Sequence, residues 1–147
     1  MELQKDFKEL LGLFNKHRVE YVIVGAYALA FHGYPRYTGD LDILVKPNQD
    51  NAKKILTAIK DFGFKSLKLT LQDLSSPKKV IQLGIPPIRI DILTSITGVT
   101  WKQISASRVR GKYGNTTVYF IGKAELITNK RSIGRHKDLA DIESISE

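Results

Sequence analysis

Three aspartates stand where they could hold divalent cations and drive phosphoryl chemistry. Asp40 and Asp42 lie two apart in Asp40-Leu41-Asp42-Ile43-Leu44-Val45, and Asp91 lies within Ile88-Arg89-Ile90-Asp91-Ile92-Leu93. Side chains of an extended strand alternate between its faces, so Asp40 and Asp42 share one face while Leu41, Ile43 and Val45 take the other. The later run repeats the device: Ile88, Ile90 and Ile92 share a side, and Asp91 projects from the opposite side with Arg89 and Leu93. If the two strands are neighbours, three carboxylates converge, an arrangement that like-charge repulsion opposes unless a cation sits among them. Hard oxygen ligands select magnesium or manganese over zinc. Two such ions, roughly 3.5–4 Å apart, can activate an attacking hydroxyl and stabilise a pyrophosphate leaving group. An Asp-x-Asp pair alone is more often a strand end meeting solvent, so its neighbourhood decides.

That neighbourhood begins with Tyr21 to Val24, a short apolar run ending at Gly25. Ala26 to His32 is alanine-rich and helix-compatible until Gly33 and Pro35 break it. Strand, tight turn and short helix place the backbone N–H groups of Gly25 and Ala26 where phosphate oxygens could sit. A loop from Gly33 to Gly39 leads into a strand over Leu41 to Val45, followed by Pro47. Upstream, Leu3, Phe7, Leu10, Leu11 and Phe14 recur at the spacing of one helix face. Downstream, Ile55, Ile59 and Phe62 predict a helix over about residues 48 to 62, stopped by Gly63. Three strands are expected next: one through Phe64, Leu67, Leu69 and Leu71, then Val80 to Ile85 and Ile88 to Leu93 around a Pro86-Pro87 break. Trp101 to Ser107 reads as a short helix, Gly114-Asn115 as a hairpin turn, and Lys123 to Ile145 as two helices divided near Gly134. The order predicts a mixed α/β (α+β) fold: one domain over residues 1–147, a mixed sheet flanked by helices.

Composition narrows the chemistry. With 147 residues, 42% of them hydrophobic, the chain can bury a single core. It has no apolar run near the ~18 residues of a membrane span, and Met1 to Asn15 alternates charged and apolar residues, so a cytoplasmic protein is expected. The absence of cysteine removes disulfides, thiolate zinc sites and cysteine nucleophiles together. The formal charge of +8 would draw in RNA or nucleoside triphosphates. There is no P-loop, no G-x-S-x-G elbow and no H-E-x-x-H signature.

Lys130 falls among the apolar positions Leu126, Ile127 and Ile133 of its helix. It either snorkels to water or points into a cleft where an anion neutralises it. Arg36 and Thr38, on the loop before the aspartates, are solvated or reach a phosphate. Arg135 with Asp138, and Lys137 with Asp141, have the spacing of ordinary helix-surface ion pairs. His32, beside the helix-ending Gly33, is expected to cap or pack, with no catalytic role.

Taken in order, the features are a strand, Gly25-Ala26, thirteen residues, Asp40-x-Asp42 on a strand, and Asp91 on a later strand. This resembles the signature of the DNA polymerase β nucleotidyltransferase superfamily. The stretch VIVGAYALAFHGYPRYTGDLDILV looks most like a small prokaryotic branch that includes the AbiEii-like toxins, where a His-Gly, an Arg-x-Thr and the aspartate pair occur in this order. Chains of that branch end with a lysine helix, an Arg and an Asp-x-x-Asp, matched here by Lys130, Arg135 and Asp138-Leu139-Ala140-Asp141. The resemblance implies Asp40, Asp42 and Asp91 as ligands of magnesium or manganese, with Asp91 helping to deprotonate the acceptor hydroxyl. It favours Lys130 in the cleft as a catalytic residue, and Gly25, Ala26, Arg36, Thr38, Lys130 and Arg135 as triphosphate-binding residues. Ala26 departs from the serine or glycine of many relatives and leaves backbone N–H groups as the contact there.

The implied activity is transfer of a nucleoside monophosphate from a triphosphate to an acceptor hydroxyl. RNA, including a tRNA end, is the favoured acceptor, with a protein hydroxyl or small molecule as the other classes. The toxin likeness adds a possible antitoxin partner protein. The competing expectation is a catalytically silent nucleotide- or RNA-binding module of the same fold.

Overall fold

Tyr21–Val24, four consecutive buried residues, form β1, a strand covered on both faces. A computed structural model describes residues 4–34, 39–63, 69–85 and 88–146. Before β1 runs α1 (Lys5–Lys16), whose Phe7, Leu10, Leu11 and Phe14 are fully buried as their spacing predicts; Leu3 lies outside the described residues. After β1 the chain turns directly into α2 (Gly25–Phe31) and then returns as β2 (Asp40–Val45), antiparallel to β1. The next helix, α3 (Gln49–Phe62), starts at Asn48, whose side chain accepts from the Asn51 N–H, and ends at Gly63.

Here one expectation is corrected. Leu71 does not continue a strand but opens a short helix, α4 (Leu71–Ser75); Phe64 and Leu67 lie outside the described residues. The cause is local. Thr70 Oγ1 accepts from the Asp73 N–H at 3.1 Å and Asp73 Oδ2 accepts from the Thr70 N–H at 3.1 Å, a reciprocal capping box that starts a helix and lets Leu74 bury.

Strands β3 (Val80–Ile85) and β4 (Ile88–Leu93) are antiparallel, with Pro86 and Pro87 outside the described residues. Then come α5 (Trp101–Ser107), the hairpin β5 (Val109–Tyr113) and β6 (Thr116–Phe120), α6 (Lys123–Ile133) and α7 (His136–Ser146). The sheet order is β3-β4-β2-β1-β6-β5, mixed because β2 pairs with β4, and β1 with β6, in parallel. On the sheet, α2 packs over β1 and β2 and α1 packs on α3 and β6, while α6 and α7 pack together. No helix among the described residues is long and apolar enough to cross a membrane.

One buried amide fixes the strands that carry the aspartates. Asn51 is 1% exposed; its Oδ1 accepts from the Glu20 N–H at 2.8 Å, and its Nδ2 donates to the carbonyls of Glu20 and Lys46, each at 3.0 Å. It thus ties the start of β1 and the end of β2 to the first turn of α3. Removing it leaves the Glu20 N–H without its acceptor, while the Glu20 and Lys46 carbonyls keep only the backbone donors Lys46 N–H and Asn48 N–H. Asn51→Ala is expected to lower unfolding stability by about 1–3 kcal/mol in urea melts.

Candidate functional site

In the parallel pairing of β2 with β4, Asp40 stands opposite Arg89 and Asp42 opposite Asp91. Residues so matched present their side chains to the same face, on strands roughly 4.8 Å apart. Asp40, Asp42, Arg89 and Asp91 therefore form one two-by-two array, and Leu41, Ile43, Ile90 and Ile92 bury behind it. Asp91 points toward the edge occupied by Asp40 and Asp42, not across the sheet: Arg89 Nη2 donates to Asp40 Oδ2 at 3.1 Å, and its Nε lies 3.2 Å from Asp91 Oδ1.

Burial, then the neighbouring charges of Asp91 and Asp40, push the Asp42 carboxyl up from the ordinary 3.8 to about 6. Burial also raises Asp91, which Arg89 partly offsets. The nearby Asp91 charge is thus part of what favours the protonated form of Asp42.

Gly25 shapes this corner. Its φ of +69° belongs to the left-handed region, and a Cβ built on it would overlap Oδ2 of Asp42. Only glycine permits both the turn from β1 into α2 and the close seating of the Asp42 carboxylate against it.

A cleft of about 530 Å³ opens beside the array, lined among others by Gly25, Ala26, Asp40 and Asp42 on one side and Lys130 and Arg135 on the other. Asp91, paired with Asp42 from β4, is not among its lining residues. Arg36 and Thr38 lie outside the described residues. Lys130 does point inward, at 7% exposure, but an internal anion already meets it: Nζ donates to Asp141 Oδ2 at 2.9 Å and lies 3.7 Å from Asp138 Oδ1. Arg135 grips the fully buried Asp138 through Nε (2.6 Å) and Nη2 (3.2 Å). That grip holds the Asp138 carboxyl below the usual carboxylate range. The pair at i,i+3 is therefore no ordinary surface pair, and Asp141 is bound to Lys130. His32 Nε2 meets the Ile121 carbonyl at 2.7 Å, fastening the end of α2 to the residue after β6.

Two contributors escaped the sequence. Arg89 is one; its period-two spacing from Asp91 was the available signal. Asn129 is the other: its Nδ2 donates to the Thr97 carbonyl at 2.8 Å, tying α6 to the loop that floors the cleft. Among the described residues, no three acidic or histidine side chains are arranged to hold an ion as they stand. The donor set nevertheless suits a hard cation: three carboxylates share one face, and Asp91 Oδ1 is buried without a hydrogen-bond partner.

No protein-family model matches the chain, and no curated protein matches it. Solved structures do. A lincosamide antibiotic adenylyltransferase, LnuA, solved with lincomycin bound, superposes with a TM-score of 0.63 at 14% identity, covering 100% of this chain and 99% of that one. A Thermotoga maritima protein described as a candidate nucleotidyltransferase gives 0.61 at 14% identity, over 97% of this chain and 94% of its own. An antigenic nucleotidyltransferase-like protein from Paracoccidioides brasiliensis gives 0.54 at 17% identity, over 97% and 77%. At such identities the likeness establishes the fold: this chain is built as nucleotidyltransferases are.

The raised Asp42 makes a prediction for the protein stripped of divalent ions. A carboxyl whose folded pKa lies above its unfolded one contributes stability that is complete below about pH 4 and lost as pH rises through about 6. Asp42→Asn is therefore expected to melt higher than wild type at pH 7 in EDTA, by on the order of 2 kcal/mol, with the two converging near pH 4. Parallel thermal melts across pH 4–7 check it.

Proposed function

We propose that the chain is a nucleotidyltransferase that moves a nucleoside monophosphate from a triphosphate to an acceptor hydroxyl and releases pyrophosphate. One observation carries this: a single cleft brings Asp40 and Asp42 together with Lys130, Arg135 and the Gly25-Ala26 turn. Asp40, Asp42 and Asp91 would hold magnesium or manganese, which when bound neutralises the phosphates and makes the acceptor hydroxyl easier to deprotonate. Lys130 and Arg135, fixed by Asp138 and Asp141, orient the triphosphate along the opposite wall, and the N–H groups of Gly25 and Ala26 supply further donors. Asp91, opposite Asp42 on β4, is assigned to help deprotonate the acceptor hydroxyl. Arg36 and Thr38, on the loop before β2, are assigned to the phosphates as well.

The formal +8 favours RNA as acceptor, a tRNA end included. A small hydroxylated acceptor is the other class, in line with the lincomycin bound to one structural neighbour. The toxin-like motif order supports a role in a toxin–antitoxin or phage-defence pair, with a protein antitoxin as partner, in the cytoplasm. A silent binding module of this fold is the second reading, favoured by Ala26 and by the existing partners of Lys130.

Incubation with each α-labelled triphosphate, magnesium, and either total RNA or lincomycin separates these. Wild type is expected to label RNA, and Asp40→Ala to label it about a hundredfold less or worse. Bound nucleotide with no label on any acceptor would favour the silent module.

A further inference from the structure

The carboxylate array already contains a cation. Arg89 bridges it, donating to Asp40 through Nη2 at 3.1 Å and meeting Asp91 through Nε at 3.2 Å. The second contact is an ion pair out of hydrogen-bond alignment, so Arg89 Nε and Asp91 Oδ1 are both buried without a hydrogen-bond partner. Well-formed guanidinium–carboxylate pairs are bidentate and aligned, and leaving such groups unmatched costs free energy. Charge, more than hydrogen bonding, therefore keeps this arginine in place. The Arg89 side chain is 28% exposed against 10% for Asp91, so the arginine has a route to solvent that the aspartate lacks. A long flexible stem allows the head to withdraw while its methylenes stay packed.

We propose that Arg89 is the resident counter-ion of the Asp40–Asp42–Asp91 array, and that a divalent cation binds by displacing its guanidinium from Asp40 and Asp91. This rests on the proposed role of the three aspartates as metal ligands. A cation among them would take up charge that Arg89 now neutralises at Asp40 Oδ2 and Asp91 Oδ1, and a divalent ion so close to the guanidinium is repelled by it. Arg89 then has two opposed effects: it keeps the three acids assembled before an ion arrives, and it competes with the ion for them. Metal affinity is set below what the bare array would give, and Arg89 is a positioning residue, not a ligand.

Calorimetric titration of the full EDTA-stripped chain with magnesium chloride and manganese chloride tests this, on wild type, Arg89→Gln, Arg89→Lys and Asp42→Asn. Arg89→Gln is expected to bind magnesium about tenfold tighter than wild type. It should also melt lower without metal, the gap closing at saturating magnesium, with Arg89→Lys between the two. In wild type, the Arg89 Nε–H nuclear magnetic resonance signal is expected to shift as magnesium saturates, a measurement that stands even if a variant fails to fold. Equal or weaker binding by Arg89→Gln, or an unmoved Arg89 signal at saturation, overturns the displacement. No binding by wild type or Arg89→Gln, or binding that Asp42→Asn leaves intact, overturns the metal-ligand role itself.

Discussion

Parallel pairing of β2 with β4, in the register that sets Asp42 opposite Asp91, turns two strands far apart in sequence into one acidic surface. The hydrophobic core enforces that register. On the opposite face the same pairing matches Leu41 with Ile90 and Ile43 with Ile92, all four buried. A slip of one residue would turn Ile90 and Ile92 onto the face of Asp40 and Asp42 and bury Arg89 and Asp91 in the core. The polar arrangement is thus fixed by apolar side chains behind it. Parallel neighbours need a long crossover, which α3, α4 and β3 supply; β3 then pairs with the far side of β4 and holds it against β2.

The two walls of the cleft meet the cost of buried charge differently. On the array side, Arg89 pairs with Asp40 and Asp91, and burial together with these neighbouring carboxylates pushes Asp42 up to about 6. On the helical side, Lys130 and Arg135 balance Asp138 and Asp141 one for one, and Asp138 is fully buried with contacts to both cations. Satisfied on several sides, such a network holds α6 and α7 together, and loss of Lys130 or Arg135 would leave the buried Asp138 short of a partner. The helical wall is rigid by internal pairing, whereas the array keeps an unmatched buried oxygen on Asp91.

Where one local rule decided the structure, the sequence was legible. Phe7, Leu10, Leu11 and Phe14 declared α1 by spacing, and the β1–Gly25–α2 unit declared itself by an apolar run ending at a glycine. The hairpin at Gly114-Asn115 and the stops at Gly63 and Gly134 followed from turn chemistry. At Leu71 two local rules competed, and the Thr70–Asp73 box overruled the apolar alternation. Side-chain facing within β2 and β4 was equally readable, because a period of two is geometric. Partner choice was not. That Lys130 would meet Asp141, eleven residues on and across a helix turn, or that Arg89 would reach a residue 49 positions away, depends on how elements dock. No spacing rule within one element encodes that.

The charges on the cleft give its preference for an occupant a physical limit. Among its described lining residues Asp40, Asp42 and Asp138 oppose Lys130, Arg135 and Lys137, three acids against three bases, so an ionised Asp42 leaves these residues with no net charge. Two of the bases are already engaged by buried acids. On the proposed activity, a triphosphate would therefore bring several negative charges to described residues with little uncompensated positive charge to meet them, beside carboxylates that repel it. Such a ligand enters favourably only together with cations of its own, bound partly by its phosphates and partly by the aspartates. The acids then serve as the attractive side of the site, and an arriving cation favours the ionised form of Asp42. The overall charge of +8 acts at longer range, drawing polyanions toward the protein.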